Sequence, residues 1–104
     1  MNLRILAAAE TEIAEARDYL ENQVPGLGGR FLNDLAETLS AAIEEQPLRF
    51  TKLETLPEDQ PYRRALLAVF RYAVVFEILT DEIVVVAVCH SSREANYWLA
   101  RRKS

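Results

Sequence analysis

Apolar side chains recur every three or four residues through the first half of the chain and every two through much of the second. Ala9, Ile13, Ala16, Leu20 and Val24 form one stripe at helical spacing, with Glu10, Glu15, Arg17, Asp18 and Glu21 on the other side. Val24-Pro25-Gly26 interrupts this helix. Leu27, Phe31, Leu35, Leu39 and Ala42 make a second stripe, widened by Leu32 and Ile43 and closed by Pro47. Gly28-Gly29 weakens its first turn, so helix is expected only from about Arg30. So short a break predicts an antiparallel helical hairpin.

From Tyr62 the period is two. Strands are predicted over residues 62–70, 72–79 and 83–89, with turns at Arg71-Tyr72 and Thr80-Asp81-Glu82. The segment from Ile83 to Cys89 is apolar on both faces and mostly β-branched, as a central strand requires. Leu3 to Leu6 is a candidate first strand with the central strand as its host. Between the halves, residues 47–61 read as a surface loop that Leu48, Phe50, Leu53 and Leu56 tuck down. Ser91-Ser92 offers a cap for a last helix from Arg93 to Arg102. Helices followed by strands indicate an α+β fold: an N-terminal helical hairpin on a small, mostly antiparallel sheet, with a short C-terminal helix. One sheet face is covered by the hairpin, and the other is left partly open. The 104 residues are expected to form a single domain, 1–104.

Composition narrows the function. With 50% hydrophobic and 27% charged residues the chain is ordinary for a globular protein. The single cysteine, Cys89, permits no internal disulfide and reads as a small apolar residue. One histidine and one cysteine supply no metal-ligand spacing, and the glycines follow no strand, so neither a metal nor another cofactor is expected. Neither a signal peptide nor a membrane span is expected, which points to the cytoplasm. The net charge of −4 is unevenly spread. Residues 1–60 carry five cations against twelve carboxylates, and residues 61–104 carry seven cations against four. A surface that meets an anion is therefore built from the second half.

That half holds a basic and aromatic set: Arg63, Arg64, Arg71, Tyr72, His90, Arg93, Tyr97 and Trp98. An antiparallel meander brings Arg71, His90 and Arg93 to one sheet end and leaves Arg63 and Arg64 away from it. Each has a structural alternative. His90 can be a hydrogen-bonded strand-end residue and Arg93 a corner brace. Tyr97 and Trp98 can pack the last helix, and Arg101-Arg102-Lys103 can be a solvated tail.

The order of segments resembles a known family. An acidic first helix precedes Pro25-Gly26-Leu27-Gly28-Gly29-Arg30-Phe31-Leu32. Tyr62-Arg63-Arg64-Ala65-Leu66-Leu67 and Phe70-Arg71-Tyr72-Ala73-Val74-Val75-Phe76 follow, then Val86 to Arg93 with Tyr97-Trp98. Together these resemble the RelE/ParE toxin superfamily of type II toxin–antitoxin modules, in its plasmid-stabilisation branch, over residues 3–98. The resemblance implies a cognate antitoxin as partner and one of two targets. One branch inhibits DNA gyrase by binding, which here implies target contacts from Arg63, Arg64, Arg71, Arg93 and Trp98. The other cleaves messenger RNA on the ribosome, which implies Arg71, His90, Arg93 and Tyr97 as catalytic candidates. A third alternative is a non-toxic interaction module of the same fold, in a stable complex or a homodimer. The acidic net charge and the absence of a convincing catalytic set favour the binding branch.

Overall fold

A computed structural model describes residues 2–50, 61–93 and 97–102. Strand β1 (Asn2–Ile5) leads into helices α1 (Ala7–Gln23) and α2 (Leu27–Glu37). A π-helical stretch, Thr38–Glu44, and a short 3-10 turn, Pro47–Arg49, follow. Strands β2 (Tyr62–Leu66), β3 (Tyr72–Ile78) and β4 (Glu82–His90) complete the sheet, and a 3-10 turn, Leu99–Arg102, lies near the end. The sheet order is β1-β4-β3-β2, so β4 lies in the interior as its two-faced apolar run predicts. β1 runs parallel to β4, and the other pairings are antiparallel.

The hairpin covers one sheet face. Ala9, Ala16, Phe31, Leu35 and Ile43 pack there against Ala65, Val74, Phe76, Ile83, Val85 and Val88. Val24 was expected in the α1 stripe but is 53% exposed, because α1 ends at Gln23 and the chain turns away. α2 begins at Leu27 rather than near Arg30. Glu21 explains the early start: its carboxylate accepts the Gly26 N–H at 2.9 Å and the Gly28 N–H at 3.0 Å, caps the turn and ties α1 to α2. Gly28 then lies against α1, where an added Cβ would sit 2.8 Å from the Arg17 carbonyl oxygen.

The second strand is shorter than its alternation predicts. It stops at Leu66, and residues 67–71 form a loop around a buried acid. Asp34, 7% exposed, accepts the N–H groups of Ala68, Val69 and Phe70 at 3.3, 2.9 and 3.0 Å. Three successive donors turned onto one carboxylate cannot continue a strand ladder.

The second face is covered as well. Tyr62, Val75, Val84, Val86 and Ala87 pack with Trp98, and Leu6, Leu79, Tyr97 and Leu99 close around them. Val86 is the extra residue of a β-bulge, since Val75 pairs with Ala87 but Phe76 with Val85. The helix expected over residues 93–102 is reduced among the described residues to the four-residue turn Leu99–Arg102. Leu48 stands 72% exposed rather than tucked in, whereas Phe50 packs edge-on against Phe76 at 5.9 Å. Leu53 and Leu56 lie outside the described residues. No helix among the described residues is long and apolar enough to cross a membrane, and none of their side chains group into a metal site.

Candidate target-binding site

The antiparallel register of β3 and β4 places Tyr72 opposite His90, and the Ser91 N–H donates to the Arg71 carbonyl at 2.9 Å. The Arg93 N–H closes the turn on the His90 carbonyl, also at 2.9 Å. Arg71, His90 and Arg93 thus meet at one end of the sheet, all three exposed.

His90 is engaged locally. A backbone N–H can only donate, so the Ser92 N–H at 3.1 Å makes His90 Nδ1 an acceptor. Ser92 Oγ lies 2.7 Å from the same nitrogen and donates to it as well. The neutral ring therefore carries its proton on Nε2. The imidazole also stands edge-on to Tyr72 at 5.3 Å.

Arg93 lies with its guanidinium carbon 4.0 Å from the centre of the Tyr97 ring, a cation–π contact. The Tyr97 hydroxyl donates in turn to Glu12 of α1. Burial and the Glu12 carboxylate push the Tyr97 hydroxyl well above the usual phenol range.

Arg64 joins this end more closely than the sequence suggests. Because β2 stops at Leu66, which lies opposite Ala73 and through it Cys89, Arg64 stands only two residues inward. Burial pushes the Cys89 thiol up, against the lowering effects of the Tyr97 hydroxyl and, more weakly, of Arg64 and Arg93. Cys89 and His90 point to opposite faces, as their adjacency on a strand predicts. Cys89 is half-buried rather than a full core residue.

Two expected contact residues lie elsewhere. Trp98 is 3% exposed and packs edge-on to Tyr62 at 4.7 Å, so its ring belongs to the second core and presents no surface to a target. Arg63 faces the helical side, where its Nη1 donates to the Phe50 carbonyl at 2.5 Å.

Glu12 and Arg101 escaped the sequence reading. Arg101, taken for part of a solvated tail, pairs with both oxygens of Glu12 at 2.8 and 3.2 Å and donates to the Val86 carbonyl at 3.0 Å. An acid among the many of α1 and a cation in a terminal basic run carry no local mark of such a pair.

The pattern of known proteins agrees with this architecture. No curated protein matches the sequence. Among solved structures, a chain of the chromosomal ParDE TA system from P. aeruginosa superposes with a TM-score of 0.72 at 14% identity, covering 86% of this chain and 95% of that one. At that identity the likeness speaks for the fold. The sequence profile described as ParE toxin of type II toxin-antitoxin system, parDE, matches residues 3–95. The chain therefore belongs to the ParE toxin family of type II toxin–antitoxin systems.

Proposed function

We propose that this toxin acts by binding DNA gyrase through its basic sheet end, with Arg64, Arg71 and Arg93 as the contact cations, and that a cognate antitoxin neutralises it. The observation that carries the reading is how the polar groups at this end are used. Both candidate proton-transfer groups make contacts within the protein, the Tyr97 hydroxyl with Glu12 and His90 Nδ1 with Ser92, so the neutral imidazole offers an Nε2–H but no free lone pair. Arg71 and Arg93 are exposed residues. A general base needs an unoccupied lone pair within reach of the proton it removes. A docking surface needs outward cations and a rigid support, which suits a target of opposite charge.

The test compares charge reversal with removal of the imidazole. Arg71→Glu and Arg93→Glu together are expected to weaken inhibition of gyrase supercoiling by at least about tenfold, as loss of interface charge pairs does. His90→Ala is expected to leave both supercoiling inhibition and growth arrest intact. Growth arrest lost in His90→Ala with the fold retained, together with new messenger RNA ends in expressing cells, would replace this reading with the endoribonuclease one.

A further inference from the structure

The sheet explains why one acid of α1 has a special place. β1 ends at Ile5, opposite Val85, and the Leu6 N–H still reaches the Val85 carbonyl. Beyond that point β4 loses its neighbour on this side while continuing to His90. The Val88 N–H and the Val86 carbonyl on this stretch are met by side chains instead. Glu12 Oε1 accepts the Val88 N–H at 3.0 Å, and Arg101 donates to Val86.

The same carboxylate also accepts the Tyr97 hydroxyl and two N–H groups of Arg101. Its side chain is 13% exposed, and that of Arg101 is 23% exposed. A charged group withdrawn this far from water is stable only when its lone pairs are filled, and here four donors fill them. Glu12 thus joins α1, β4 and the C-terminal segment at one point. The Tyr97 ring it anchors is the platform for Arg93 on one side, with Arg101 5.1 Å from the ring centre.

We infer that Glu12 is the positioning residue of the basic end: by clasping Tyr97 and Arg101 it holds the platform on which Arg93 is presented beside Arg71. The inference rests on the reading of the basic end as the target surface. Glu12 itself touches no target. It replaces the missing neighbour of β4 and fixes the direction of a long cation that would otherwise sample many rotamers.

The experiment uses Glu12→Gln in the full chain. Glutamine keeps an acceptor for Val88 but loses the charge that holds Arg101. A second variant, Tyr97→Phe, keeps the ring and removes only the hydroxyl clasp, so it remains informative if Glu12→Gln fails to fold. The local readout is the upfield ring-current shift that the Tyr97 ring imposes on the Arg93 side-chain protons, measured by NMR. The functional readout is inhibition of gyrase supercoiling.

The expected result is loss of the Arg93 shift with unchanged signals from Phe31 and Val85, and inhibition weakened about tenfold, the size of one coupled contact. In Tyr97→Phe both effects are expected in the same direction and smaller. Retention of the Arg93 shift in folded Glu12→Gln overturns the inference. So does its loss without any change in inhibition, provided Arg71→Glu with Arg93→Glu abolishes inhibition; in that case the target surface stands and only the role of Glu12 falls. If the charge reversals themselves have no effect, the target surface is wrong and the functional role of Glu12 falls with it.

Discussion

Asp34 and Glu12 each hold distant parts of the chain together, and both accept backbone N–H groups that the sheet leaves unpaired. Asp34 takes three from the 67–71 loop, and Glu12 takes one from β4 along with its side-chain donors. Asp34→Ala strands those loop donors and is expected to destabilise by about 2–3 kcal/mol. Asp34→Asn, which keeps one acceptor oxygen, is expected to lose less. Urea midpoints at constant slope measure both. At Cys89, burial keeps the thiol protonated above the ordinary range. Alkylation near pH 8.5 is therefore expected to be slower than for an unfolded control, and full reactivity at that pH would contradict the burial.

At the level of elements, the glycines of the hairpin make a sharp contrast. Gly28→Ala places a methyl group against the Arg17 carbonyl and is expected to destabilise by about 1–3 kcal/mol. Gly29, one residue on, has open space at the Cβ position within the helix. Gly29→Ala is expected to stabilise by about 0.4–1 kcal/mol. Thermal unfolding of the two variants should move the midpoint in opposite directions.

The same elements show what a linear pattern carries. The stripe from Phe31 to Ile43, the alternation of β3 and the continuous apolar run of β4 reflect burial, and burial imposes a period that can be read locally. The end of β2 cannot be read that way. It depends on Asp34, more than thirty residues earlier, which draws three N–H groups out of a segment whose side chains still alternate. The π-helical stretch is similarly hidden, since Leu35, Leu39 and Ile43 keep four-residue spacing through it. The meeting of Arg71, His90 and Arg93 follows from two hairpin turns and was legible. The clasp of Glu12 on Tyr97 and Arg101 joins residues 85 and 89 positions apart, and no local pattern marks either pair.

Across the whole molecule, the side chains with raised pKa values act in one direction on pH stability. Cys89, Tyr72 and Tyr97 all titrate higher in the fold than in an unfolded chain, chiefly through burial. Each contributes stability that is complete below its ordinary pKa and is lost as pH rises past it. The window for loss therefore opens near about pH 8.5 with the thiol and deepens above about pH 10 with the phenols. Urea midpoints should be level just below this range and fall through it. In Tyr97→Phe the decline above about pH 10 should be shallower.

The parallel pairing of β1 with β4 has a consequence for synthesis. Asn2–Ile5, the first residues of the fold to leave the ribosome, find their partner only in Glu82–Val85, among the last. Until then α1 lacks the central strand it packs against, and such distant pairings are slow to form. A nascent chain halted before β4 should stay sensitive to protease along its length, and translation cut short would yield a fragment unable to assemble the basic end. A cell making this toxin thus has an interval, set by the position of one strand, in which the product is present but still unarmed.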